Sequence, residues 1–266
     1  MSNKTKLKGE IMKSIFSVLV AVAVITGCSQ DDGMLTAVDG GSSVEFASAS
    51  ASKAGVSAAS EAKYEVTIIN MSHSQPFSPG VLVTHDASAS LFSGGSAASE
   101  GIRLIAENGD PSTAVGALTG ADGVSGVVGT MAPVHIKGGP GPDKLTAYIT
   151  AAEGARYLSL AVMLICTNDG FIGLDSVELP SGPETAVYFP GAYDAGTEAN
   201  DELYTSVVDP CGAIGPVAVA ADGQNDRPAT SGVVESHPGF TGVGDMDADA
   251  YNWRNKVARV TVKRVR

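Results

Sequence analysis

RYLSLAVMLICTNDGFIGLDSVELP, residues 156–180, holds two apolar runs parted by Asn168-Asp169-Gly170. The first run ends at Cys166 and is bounded by turn residues, so it reads as a buried strand. The second resumes at Phe171-Ile172-Gly173-Leu174 and meets another acid at Asp175. Asp before Gly suits a tight corner, because the Asx side chain bonds its own backbone and Gly accepts φ > 0. The stretch therefore predicts a β-hairpin with Asp169 at its corner. Asp175, two residues past Gly173, reads as a structural hydrogen-bonder on the second strand.

Working outward, strand signals recur: YEVTIINM (64–71), GVLVTHD (80–86), KLTAYITAA (144–152), TAVYFPGAYD (185–194) and NKVARVTVKRV (255–265). Gly, Pro, Asn and Asp clusters lie between them. SQPFSPG (74–80) predicts a rigid turn, with Pro76 and Pro79 fixing φ. One helix is expected in SGGSAASEGIRLIAENGD (93–110), capped by Ser96 or Ser99 and stopped at Asn108-Gly109, with Ile102, Leu104 and Ile105 as its apolar contacts. About seven or eight short strands with one short helix and long loops indicate an all-β fold, an antiparallel β-sandwich. Phe171 and Trp253 read as core.

Residues 1–28 read as a lipoprotein signal peptide. Lys4, Lys6, Lys8 and Lys13 precede the short apolar run Ile15–Thr26, which ends in Ile25-Thr26-Gly27-Cys28. That ending resembles a bacterial lipobox, with cleavage before Cys28 and lipid on its sulfur. Met12 offers a shorter alternative start. Each buried CH₂ of a lipid chain adds roughly 0.8 kcal/mol of membrane affinity, so two or three chains anchor for good. Ser29-Gln30, with no Asp directly after the cysteine, favours the outer membrane, with the chain in the periplasm or on the cell surface. Residues 29–62, rich in Ala, Ser and Gly, cannot bury a core and read as a flexible tether. The sandwich domain is expected over 63–266.

The formal net charge is −12, and removing four Lys and Glu10 with the signal takes it to about −15. So acidic a chain is a poor partner for nucleic acid, whose phosphates demand a basic face. The basic residues Arg254, Lys256, Arg259, Lys263, Arg264 and Arg266 gather near the C-terminus and read as the solvated face of a last strand. Cys166 and Cys211 could pair in an oxidising compartment, or stay as two buried thiols.

Motifs for common enzyme chemistries are missing: no G-x-S-x-G, Walker loop, H-E-x-x-H or C-x-x-C occurs. His73, His85, His135 and His237 show no metal-ligand spacing. Acids do concentrate in turns: Asp169; Asp194 and Glu198 in YDAGTE; and Asp245, Asp247 and Asp249 in GDMDADAYNW. Loop-tip carboxylates of this kind are how a sandwich holds Ca²⁺, which takes six to eight oxygens at about 2.4 Å. The Asp-x-Asp-x-Asp run is not an EF-hand, since Ala250 and Lys256 stand at its Gly and Glu positions. It reads either as a second acidic cluster or as a solvated turn.

YEVTIINMSHSQPFSPGVLVTHD, NDGFIGLDSVEL and YDAGTEAND together resemble the spondin N-terminal domain family over roughly 64–210, and the ending at 244–262 resembles that of its bacterial members. The resemblance implies a C2-like β-sandwich that binds calcium and occurs in extracellular matrix proteins. The family's calcium aspartates, in a Ser-Pro-Asp-Trp-x-x-Gly stretch and an Asp-Ala-Gly-Thr-Asp turn, fall on Asp169, Asp194 and Glu198. Phe171 stands where Trp would, Glu198 replaces the last Asp, and the cysteines that follow the first animal motif are absent. The expected function is a non-enzymatic, calcium-binding module on a lipid-anchored protein, in adhesion or matrix contact. Two alternatives are a carboxylate-based hydrolase using Asp169 with Asp194, and a C2-like module that binds membranes through calcium.

Overall fold

The computed structural model describes residues 61–220, 228–253 and 256–266. The signal peptide with Cys28, and nearly all of the tether, lie outside the described residues. No helix among the described residues is long and apolar enough to cross a membrane.

The chain forms the antiparallel β-sandwich expected from its sequence. One sheet has four strands in the order β4 (Lys144–Ala151), β1 (Ala62–Asn70), β10 (Ala258–Arg264), β7 (Thr185–Tyr188). The other has six: β3 (Val124–Gly129), β2 (Phe77–His85), β5 (Tyr157–Leu164), β6 (Gly170–Glu178), β8 (Gly191–Asp194), β9 (Glu235–Ser236). β1 alternates strictly between buried and half-buried positions, as a strand with one face on a core must. Its buried residues Val66 and Ile68 meet Leu82, Leu160, Val162 and Ile172 from the six-stranded sheet.

β5 does not alternate. Seven of its eight residues are buried, because helix α1 (Glu100–Asn108) covers the outer face of its sheet. Ile102 and Ile105 of α1 pack there with Phe92, Val81, Val83, Ala161 and Phe171. This third layer explains the unbroken apolar run in the opening stretch. Ser99 caps α1, its Oγ accepting the Ile102 N–H at 3.3 Å, and Gly109 ends it. A second helix, α2 (Ser112–Leu118), follows. Its sequence STAVGAL holds a Gly and β-branched residues and buries one side chain, Ala114, so no helical signal stood out. α3 (Pro210–Ile214) and α4 (Ala248–Tyr251) are single short turns at the loop end.

Two segments depart from the simple strand reading. TAVYFPGAYD is two strands, not one: β7 pairs with β10, β8 pairs with β6, and the chain changes sheets at Phe189-Pro190. Proline cannot donate to a ladder and biases the residue before it, so it suits the crossing. SQPFSPG does not stay a turn throughout, because β2 begins at Phe77 and carries Pro79 at a break in its register with β5.

Candidate functional site

The opening hairpin places Asp169 at the last loop position before β6. β6 pairs with β8 in the register Gly170↔Asp194, so the two acids sit beside each other at one end of the sheet. Both are buried, at 0 % and 2 % exposure, and so is Glu198, at 2 %. The turn after β8 wraps Asp169: the Thr197 N–H, Thr197 hydroxyl and Glu198 N–H donate to its Oδ2 at 2.7, 3.2 and 2.9 Å. Asp194 orders the same turn, accepting the Gly196 N–H at 2.7 Å and the Asn200 amide at 2.5 Å. Gly196 has φ 71° and lies against Val233, where a Cβ would come within 2.4 Å of the carbonyl oxygen. Only glycine makes this turn without strain.

Asp169 Oδ1 is different. It is buried and accepts no hydrogen bond. Burial pushes the Asp169 carboxyl up, Asp194 pushes it further, and the three donors offset only part, leaving it at about 6. Two buried like charges with an orphaned oxygen fit a site built for a cation. Among the described residues, no group of three or more Asp, Glu, His or Cys side chains is placed to hold a metal ion by itself. Neutral oxygens must therefore complete any shell around Asp169 and Asp194. Calcium accepts such donors from carbonyls, amides and water.

This charge arrangement gives a pH prediction for the metal-free protein. A folded value of about 6, above the ordinary 3.8, means that the folded state binds this proton more tightly than the unfolded state. The penalty is full above pH 6, shrinks as pH falls, and is gone below the unfolded value. The difference corresponds to about 3 kcal/mol. Thermal unfolding in EDTA is expected to show a higher Tm at pH 5 than at pH 7. A metal-free Tm that is lower at pH 5 than at pH 7 contradicts it.

Around this pair lies a shell of lone polar residues that carry no motif. Gln75, fully buried, receives the Cys166 N–H on Oε1 at 3.2 Å and donates to the Tyr251 carbonyl at 2.9 Å. It ties the hairpin loop to α4. Cys166 and Cys211 form a disulfide with Cα atoms 5.0 Å apart, fastening the same loop to α3. Glu202 accepts the Thr241 N–H and hydroxyl on Oε1 and the Gly242 and Val243 N–H groups on Oε2, at 2.6 to 3.1 Å. Burial raises its carboxyl, but these donors outweigh burial and the net shift is downward. His237 accepts the Gly239 N–H on Nδ1 at 2.9 Å, so its proton sits on Nε2, which is buried without a partner. Burial pulls this imidazole down to about 4 against the opposing pull of Asp194 and Glu202, so it is neutral at pH 7. It borders a space of about 10 Å³ lined by Asn168, Asn200 and Glu202, room for one water at most.

The remaining acids do other work. Asp175 is exposed and accepts the Ser176 hydroxyl. Asp245 accepts the Tyr204 N–H, and Asp247 caps α4 by accepting the Asp249 N–H. Asp245, Asp247 and Asp249 are all exposed. They are not brought together as a ligand set, because the alternation that looked like a metal loop is the cap and first turn of a helix. Phe171 is fully buried, edge-on to Phe92 and stacked on Tyr193. Trp253 is half-buried against His237 and Phe240.

Taken together, the molecule is a two-sheet sandwich with a helical cover and a buried acidic pair at the loop end. The chain belongs to the spondin N-terminal domain family, whose Spondin_N model matches residues 65–208. No curated protein matches the chain at a significant level.

Proposed function

We propose that the chain is a non-enzymatic, calcium-binding spondin-type module, lipid-anchored through Cys28 at the outer membrane and used for adhesion or surface contact. The observation that carries the calcium reading is Asp169 Oδ1, buried without a hydrogen bond beside a second buried carboxylate. Asp169 and Asp194 are the carboxylate ligands; Glu198, expected as a third, instead gives its N–H to Asp169, and neutral oxygens complete the shell. Calcium here is structural: it cancels the repulsion and locks the Thr197–Asn200 turn onto the hairpin. The burial of both acids counts against the hydrolase alternative, since a substrate needs a route to them. An acidic chain with a lipobox and a cysteine pair suits an oxidising extracytoplasmic space.

The test uses the mature chain, residues 28–266 with Cys28→Ser, which carries neither the signal segment nor the lipid. Millimolar calcium is expected to raise its Tm, and Asp169→Asn with Asp194→Asn is expected to abolish the rise. In EDTA at pH 7.5 Asp169→Asn alone is expected to be no less stable than its parent, because that carboxylate is buried beside a like charge and its Oδ1 has no donor to lose. Retention of the calcium-induced rise in the double variant would move the ion elsewhere.

A further inference from the structure

The outer face of the four-stranded sheet carries the opposite charge to the rest of the molecule. Along β1 the residues that point away from the core are Lys63, Glu65, Thr67 and Ile69, alternating with the buried Tyr64, Val66 and Ile68. Strand register extends this face sideways. Ile69 lies between Lys144 of β4 and Arg259 of β10, Thr67 between Thr146 and Thr261, and Glu65 between Tyr148 and Lys263. Lys144, Arg259 and Lys263 are exposed, and Lys63 is half-buried.

Glu65 is the acid among these positions, and it accepts the Tyr148 hydroxyl at 2.9 Å. None of the four cations makes an ion pair among the described residues, where both recorded pairs belong to Arg103. Strand spacing sets the net: Lys144 and Arg259 are two strands apart, about 10 Å, and Arg259 and Lys263 are four residues apart, about 13 Å. Two apolar or aromatic groups are exposed on the same face, Tyr148 at 51 % and Val187 at 48 %, and Phe189, just past the end of β7, is exposed at 41 %. Lys63 Nζ lies 4.9 Å from the Tyr148 ring centroid and Lys256 Nζ 3.2 Å from that of Phe189. A cationic face on a chain of net charge −12 is held against the protein's own field, which makes it a docking surface for an anion.

We propose that this sheet face binds an anionic polysaccharide. The polymer would lay its acid groups on Lys63, Lys144, Arg259 and Lys263, and its hydroxyls on the row Thr146–Thr67–Thr261. The Thr67 and Thr146 hydroxyls bond each other at 2.8 Å, and the one donor and the acceptors they leave, with Thr261, favour a glycan over other polyanions, because neutral groups between cations match a chain that alternates acids with hydroxyls. Against a lipid surface, the exposed ring of Tyr148 stands within β4 and that of Phe189 lies under Lys256, so neither reaches the acyl boundary.

The test is retention of the Cys28→Ser chain on immobilised dextran sulfate and on polygalacturonate, read as salt dependence. The parent is expected to bind at low salt despite its net negative charge. Lys144→Ala/Arg259→Ala/Lys263→Ala, all exposed and so without effect on the melting curve, is expected to reduce the log–log salt slope by about 3. Binding is expected to be equal in calcium and in EDTA, which separates this face from the acidic loop end. No retention of the parent, or retention unchanged in the triple variant, overturns the assignment. So does a requirement for calcium, or tighter binding to phosphatidylglycerol vesicles or to duplex DNA than to either polysaccharide.

Discussion

Cys166→Ala with Cys211→Ala is expected to lower the unfolding free energy by about 4 kcal/mol. The bridge spans a sequence separation of 45, and cross-linking a loop of that size removes about this much chain entropy from the unfolded state. The loss falls at the loop end. Cys166 and Cys211 are both fully buried among Met163, Ile165, Val207, Phe240 and Tyr251. Cys166 precedes Asp169 by three residues, and its N–H is the one that Gln75 holds. Denaturant unfolding of the parent and the double variant measures the difference. A change below about 1 kcal/mol would mean that packing alone orders this loop.

Glu202→Ala is the second large effect, expected at about 3 kcal/mol or more. One buried carboxylate holds four donors from Thr241, Gly242 and Val243, and removing it takes the acceptor from three backbone N–H groups and a hydroxyl. The neighbouring geometry shows how closely the two loops are pressed together. Glu202 takes φ 53°, a left-handed conformation that costs a non-glycine residue energy unless its surroundings hold it there. Gly244 passes so near that a Cβ would lie 2.1 Å from the Glu202 carbonyl oxygen. Glu202→Gln retains one acceptor oxygen but turns an amide donor toward the Gly242 and Val243 N–H groups, so it is expected to recover less than half of the loss. Thermal unfolding ranks the three proteins. An alanine variant as stable as the parent would show that the 241–243 loop finds water in place of the carboxylate.

The fold was legible where a residue's type reports its surroundings. β1 and β10 announced themselves because one face of each meets the core and the other meets solvent, and this writes alternation into the sequence. The hairpin of β5 and β6 was legible for the opposite reason: helices cover its outer face, so its apolar runs are unbroken. The existence of that cover was not legible beyond α1, since α2 buries too little to leave a periodic trace. The site divides along the same line. The concentration of acids in turns marked Asp169, Asp194 and Glu198, and resemblance to the family singled out the same three. Gln75, Glu202 and His237 left no signal, because each is a single polar residue whose partners lie far away in sequence. The acid run at 245–249 left two readings open, and its exposed acids fit the solvated turn. Asp247 before a short apolar turn is also the signature of a helix N-cap, which is the role it fills.

The central claim is that Asp169 and Asp194 are held together for calcium, and direct titration tests it. Calorimetric titration of the Cys28→Ser chain at pH 7.5 is expected to show saturable binding of one ion per chain, lost on Asp169→Asn. Absence of binding at millimolar calcium, or binding that survives Asp169→Asn, contradicts it.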